Sequence, residues 1–257
     1  MHFKNQNNKK LFKILIVHSY FYPEKVGGSE KVTYDISNIL AKAGHEVTVL
    51  VGSNNKDIPT VKKKENLKII RYYRSEANPI FTIFSVIFNL YRIASNLMKN
   101  DEFDIINIHS SLCGWGLLLN RDINEVPLIY TFHSPAHIDF KYENKYRRYR
   151  GFKKFLKSIY LELYPYLIKK QQLNLLKKSY KVICLSNYMK KQVLNIFGIS
   201  DKKTVVIPHC VDINKLNFKR RHIKNSTTRR LKDEKKIILT VRRLEYRMGV
   251  DNLIRAM

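Results

Sequence analysis

The chain has 257 residues, and its 48 Lys and Arg against 21 Asp and Glu give a formal charge of +27. A hydrophobic share of 44% is enough for a true core and excludes intrinsic disorder. Three scattered cysteines, Cys113, Cys184 and Cys210, exclude a disulfide scaffold and suit a reducing cytoplasm. The basic excess favours anionic partners (nucleic acid, phosphorylated substrates or an anionic membrane surface), against the alternative of lysines that only solvate the surface.

The opening MHFKNQNNKKLFKILIVH sets lysines before an apolar run, but that run stops at His18, too short for the core of a signal peptide. It predicts a first buried strand over Phe12–Val17. A loop, SYFYPEKVGGSE, leads into a helix over Glu30–Ala43 that ends at Gly44, a residue suited to a left-handed helix end. Strands follow at Val47–Val51 and Leu67–Tyr72. The next helix, Ile80–Lys99, is strongly apolar, yet Asn89 and Arg92 leave it short of a clean membrane span. Strand Ile105–Ile108, helix Leu112–Asn120 and strand Leu128–Phe132 come next. Arg150–Lys178 reads as helical, with Pro165 expected to kink or break it. Strand Val182–Leu185, helix Tyr188–Phe197 and strand Val205–Ile207 complete the pattern. Nearly continuous apolar strands alternating with helices predict an α/β fold, a doubly wound parallel sheet covered on both faces.

The composition then changes. A polar, basic stretch at 219–235 reads as a linker after a first domain of residues 1–218. Residues 236–257, where IILTV follows Lys236, read as the first strand and helix of a second, incomplete domain.

In an open parallel sheet, ligands bind beyond the carboxyl ends of the strands. Four of the eight histidines, His18, His109, His133 and His209, fall just past predicted strands, with Ser134 beside them. Gly27 and Gly28 precede the first helix, where a phosphate could approach free N–H groups, although a plain turn has the same signature. The dinucleotide fingerprint, the P-loop and the nucleophile elbow are all absent, which argues against NAD enzymes, P-loop NTPases and serine hydrolases. In HSPAH, His133 and His137 stand four apart with Asp139 beyond, but Pro135 disfavours a helix presenting both to one metal, and no metal is expected. The run KYENKYRRYRGFKKFLKSIYLELYPYLIKK interleaves basic and aromatic residues. It fits either an ordinary sheet-covering helix or attachment to anionic lipid, with nucleic acid ranked lower.

Four segments together resemble the retaining glycosyltransferases of the GT-B fold, family 4. FYPEKVGGSEKVTYDISNILAKAGHEVTVLV is similar to the family's opening P-x-x-G-G-x-E, long helix and G-H-E-V strand. YTFHSPAHIDF resembles its T-x-H segment, and VICLSNYMKKQVLNIFGISDKKTVVIPHCVDINKLNF resembles the run that ends the amino-terminal domain. TVRRLEYRMGVDNLIRAM is similar to the G-R-L-x-x-x-K-G unit that opens the second domain. Their colinear order is more specific than any one motif.

The resemblance implies two Rossmann-like domains around a cleft, the first for the acceptor and the second for a UDP- or GDP-sugar donor, with no cofactor or metal required. Carried over by position, His133 is the active-site histidine beside the reacting sugar. Gly27 and Gly28 approach the donor's phosphate or sugar, and Arg243 binds phosphate. His18, His109, Ser134 and His209 are candidates for the acceptor cleft. Arg242 replaces a family glycine, Met248 a family lysine and Cys210 another glycine, and Arg247 is placed to supply the missing cation. The expected acceptor is a cell-envelope, polysaccharide or lipid-linked glycan, met in the cytoplasm or peripherally at the inner face of the membrane. Most of the donor-binding domain would lie beyond Met257. The corresponding expectation is no turnover by the chain alone and activity when a separate carboxy-terminal half is supplied. Competing readings are an inactive remnant or stand-alone module with affinity for anionic membrane or acceptor, and a basic nucleic-acid-binding protein.

Overall fold

A computed structural model describes residues 10–55, 60–144, 152–209, 238–242, 244 and 248–257. The strands are β1 (Lys13–His18), β2 (Glu46–Ser53), β3 (Val61–Lys64), β4 (Leu67–Tyr73), β5 (Ile105–Ile108), β6 (Leu128–Phe132), β7 (Lys181–Cys184) and β8 (Thr204–Val206). The helices are α1 (Gly28–Lys42), α2 (Pro79–Asn100), α3 (Ser111–Leu118), α4 (Ala136–Asn144), α5 (Phe152–Lys178), α6 (Asn187–Phe197) and a short α7 (Val250–Arg255).

One eight-stranded sheet has the order β3-β4-β2-β1-β5-β6-β7-β8. All neighbours run parallel except the edge pair β3 and β4. The chain winds outward from β1 through β2 to β4, then returns to place β5 on the other side of β1. The strand order therefore reverses between β1 and β5, where a crevice opens at the carboxyl edge.

Alternation along the strands divides the core in two. Ile14 and Ile16 of β1 join Val47, Val49, Val51 and Ile69 beneath Tyr34, Ile36 and Leu40 of α1. Leu15 and Val17 face the opposite layer, with Leu90 of α2, Leu117 of α3, Leu175 of α5 and Phe197 of α6. Burial on both faces is the reason the strands read as unbroken apolar runs. At Gly116 of α3 a Cβ would sit 2.9 Å from the Ile87 carbonyl of α2, so only glycine lets these two helices approach so closely.

The structure corrects several expectations. α5 is continuous through Pro165, because the tertiary contacts of a long helix outweigh one lost hydrogen bond. α4 was not expected: Pro135 sits just ahead of its first residue, where a missing N–H costs nothing. β3 was missed because VKKK is fully exposed and offers no apolar signal, its pairing with β4 being set by backbone hydrogen bonds at the sheet edge. Residues 238–242 do not form the expected strand. A strand is stabilised by its neighbours, and none of the described strands pairs with this segment. The short helix expected after it is present as α7. By length and hydropathy α2 would pass for a membrane span. Val86, Leu90, Ala94 and Leu97 are nevertheless buried against the sheet, making it a core-covering helix with one open face.

Candidate functional site

The crevice at the strand reversal is built from three histidines. His18 is the last residue of β1, and His109 and His133 directly follow β5 and β6. Parallel register holds these strand ends side by side, Val17 opposite Ile108 and Ile108 opposite Tyr130. The His109 N–H extends the ladder to the Val17 carbonyl at 2.8 Å. Ring centroids lie 6.2 Å apart for His18 with His109, 6.2 Å for His18 with His133, and 5.4 Å for His109 with His133.

Hydrogen bonds orient the rings. His18 Nδ1 accepts the Tyr20 N–H at 3.1 Å, which leaves the neutral ring's proton on Nε2. His109 Nδ1 and His133 Nε2 meet at 3.2 Å, and the buried His109 Nε2 has no hydrogen-bond partner among the described residues. Burial pushes His18 down to about 4, with Arg74 adding to the effect against the Tyr20 hydrogen bond. Burial, then the charge of His18, pushes His133 down to about 3. Burial and the two neighbouring rings hold His109 well below its usual range. The cluster is thus neutral at physiological pH: three imidazoles offering hydrogen bonds rather than charge. His18 and His109 are buried and His133 is only partly so, which makes His133 the ring presented to a ligand.

The amino terminus of α1 borders the cluster. Gly27 is its N-cap in extended conformation, and no side chain caps the helix, so the first N–H groups keep their capacity for an anion. The Glu30 carboxylate folds back over Gly27 and accepts the Ser29 hydroxyl at 3.1 Å. Its charge reaches His133, partly opposing the lowering of that pKa. Arg71 of β4, itself buried, is hydrogen-bonded through Nε to Glu24 at 2.8 Å, pinning the loop that carries the two glycines. His209 stands 3.5 Å from Asp35 of α1 and is felt electrostatically at His133. Across the crevice, the Ser19 and Ser110 hydroxyls are 2.5 Å apart.

A family model described as Glycosyltransferase Family 4 matches residues 26–215. This chain belongs to glycosyltransferase family 4. Among the relatives of this family 4 chain, an uncharacterised glycosyltransferase of Methanocaldococcus jannaschii is 26% identical over 95% of this chain and 59% of its own length. The phosphatidylinositol N-acetylglucosaminyltransferase GPI3 subunit of Saccharomyces cerevisiae is 25% identical over 95% of this chain and 49% of its own. Sucrose-phosphate synthase from Thermosynechococcus elongatus superposes with a TM-score of 0.58 at 16% identity, covering 79% of this chain and 49% of that one. The fold is therefore the Rossmann-like α/β domain of GT-B enzymes. The chain spans between half and three-fifths of the length of these relatives.

Most of the residues singled out in this family 4 sequence converge on one edge: Gly27, Gly28, His18, His109, His133 and His209. Ser134 is adjacent, but its hydroxyl is engaged by Asp139 and its carbonyl accepts Gln172 Nε2 at 2.9 Å. Arg243, Arg247, Cys210 and the linker 219–235 lie outside the described residues. His137 lies apart from the cluster, buried on α4 with its ring edge-on to Phe197 at 5.8 Å. Among the described residues, no three His, Cys, Asp or Glu side chains are disposed to hold a metal. Sequence reasoning missed Glu30, Tyr20, Arg74 and the Glu24–Arg71 pair. Only Glu30 carried a signal, as the acid of GGSE; the others are joined across 47 to 56 residues of chain.

Proposed function

We propose that this domain is the acceptor-side half of a glycosyltransferase that moves a sugar, with retention of configuration, from a UDP- or GDP-sugar to a lipid-linked or cell-envelope glycan. In this reading residues 1–218 form the acceptor domain, 219–235 the linker and 236–257 the opening of the donor-binding domain. The carrying observation is the neutral histidine cluster set at the strand reversal beside the uncapped amino terminus of α1. Gly27 and Gly28 let the donor's diphosphate approach those N–H groups, and Arg243 and Arg247 bring cations to the same charge. Leaving-group stabilisation by such preorganised groups is the main catalytic task of sugar transfer from a nucleotide. His133 hydrogen-bonds the reacting sugar, and His109 and His18 hold its ring in place. The neutral state matters, since an imidazolium here would compete with the arginines for the diphosphate.

The acceptor reading is supported by the open face of α2. Phe81, Phe84, Phe88 and Tyr91 form a single stripe at helical spacing, with Phe84 69% and Phe88 65% exposed. With a charge of +27, such a stripe fits peripheral contact with an anionic membrane on the cytoplasmic side. On α5, Leu163 and Tyr166 are exposed as well.

The test uses the enzyme that carries this domain. His133→Ala is expected to lower kcat for sugar transfer by on the order of 10²-fold, with circular dichroism unchanged and an α-linked donor giving an α-linked product by NMR. Unchanged turnover in the variant, or an inverted product, would sink the reading.

A further inference from the structure

The helical layer that covers Leu15 and Val17 carries a groove of about 400 Å³ between α3 and α5. Trp115 of α3 forms one wall, Leu167 and Leu173 of α5 form the other, and the exposed Lys170 and Lys177 line it as well. Close helix packing creates it. A Cβ on Gly114 would stand 2.9 Å from Leu175 Cδ2, so glycine lets α3 press onto α5. The buried Gln171 amide donates to the Ser111 carbonyl and holds the two helices side by side. Trp115, next in sequence, is left partly exposed beside α5 instead of entering the core.

The face of α5 along this groove is patterned. Leu163, Leu167, Lys170, Asn174 and Lys177 follow one another at alternating spacings of four and three residues. That is the period of a helix-packing seam, and it extends for about 21 Å. No described element covers it: Leu163 is 55% and Leu167 39% exposed. Charge narrows the choice of occupant. Among the described residues no carboxylate lines the groove, and neither lysine joins an ion pair. The single acid of α5, Glu162, stands about two turns before Lys170. A helix with carboxylates flanking an apolar stripe complements both the seam and its lysines.

Shape separates this surface from the aromatic stripe of α2. A bilayer meets side chains that protrude, as the exposed Phe84 and Phe88 do. Here the apolar residues line a recess, and the amides of Gln171 and Asn174 lie along it. Such a recess suits the side chains of a facing helix better than acyl chains.

We propose that the groove between α3 and α5 is the docking site for an amphipathic helix of a partner protein, with Glu or Asp flanking its apolar stripe. The apolar stripe packs on Trp115, Leu167 and Leu173, and the carboxylates meet Lys170 and Lys177. None of the three clustered histidines lines this groove, and the proposal does not depend on the sugar-transfer reading.

Trp115 is the only tryptophan in the sequence, so its fluorescence reports on the groove alone. The experiment titrates this chain with stapled helical peptides of about 18 residues that lack tryptophan. One peptide carries a leucine stripe flanked by Glu, and the other has Lys in place of every Glu. A parallel arm adds vesicles of neutral or anionic phospholipid brominated in the acyl chains, which quench a tryptophan they reach. The Glu peptide is expected to give a saturable Trp115 shift. Its affinity should exceed that of the Lys peptide at least about tenfold and fall with added salt. Lys170→Glu with Lys177→Glu should invert the preference. Arg92→Glu with Lys99→Glu, an equal change in net charge on exposed positions of α2, should keep it. No Trp115 response to the Glu peptide, equal affinity for the two peptides, or inversion in the α2 control as well would overturn the docking site. Quenching by brominated vesicles without a peptide response would overturn it too and give the groove to a lipid surface. The peptide comparison uses the wild-type chain, so it decides the matter even where a variant does not fold.

Discussion

At the scale of single residues, the site depends on polar atoms kept in reserve, backbone N–H groups among them. Gly27 illustrates this. A Cβ there would meet the Glu30 carboxylate, which is the free end of a flexible side chain and can swing aside. Gly27 is extended rather than left-handed, so alanine fits its backbone without strain. Gly27→Ala is therefore expected to change stability by less than about 1 kcal/mol while weakening donor binding, because the methyl group and the displaced carboxylate obstruct the helix N–H groups. Thermal melts alongside donor KM in the complete enzyme would check this. A large loss of Tm with unchanged KM would show that the glycine serves the fold rather than the donor. His133 and His109 present a different case. Their residue type and position after a strand were legible in the sequence, but their direct hydrogen bond was not, because it joins side chains 24 residues apart.

At the scale of elements, α2 carries two faces with separate tasks. Val86, Leu90, Ala94 and Leu97 anchor it to the sheet, and Phe81, Phe84 and Phe88 leave an aromatic stripe in water. Replacing Phe84 and Phe88 together by Glu is expected to leave Tm nearly unchanged, since both are exposed. The same change should abolish flotation with anionic vesicles at low salt, by removing the apolar contact and adding like charge. Retention of the double variant on vesicles would remove α2 from the membrane reading. The apolar character of this helix was plain in the sequence. Which of its apolar residues are buried was not, because its phenylalanines and isoleucines occur around much of the helix and only its packing on α3 and the sheet distinguishes them.

At the scale of the whole molecule, the histidine cluster links the fold to pH. His18 falls to about 4 and His133 to about 3 in the folded state, against an ordinary value near 6.5. Above pH 6.5 both states carry neutral rings, and this contribution does not vary with pH. Below it the unfolded chain takes up protons that the folded chain refuses, so stability falls as pH drops from 6.5 toward 4 and levels off beneath the folded values. His18 alone accounts for about 3 kcal/mol over that range. Urea melts from pH 7.5 to 4.5 should show a steady loss that His18→Asn or His133→Asn reduces. A flat profile in the wild type would contradict the burial of neutral rings.

The sequence alone determined the α/β class, most strand and helix positions to within one or two residues, and the edge on which histidines collect. These are local properties: a strand buried on both faces needs a continuous apolar run, a helix needs its own period, and polar residues resume where a strand ends. The tertiary structure decided the strand order, and with it the reversal between β1 and β5 that gathers His18, His109 and His133 into one crevice. It also decided the exposed pairing of β3 and the continuity of α5 through Pro165. Each of these depends on contacts between distant segments, whose energies no local window of sequence contains.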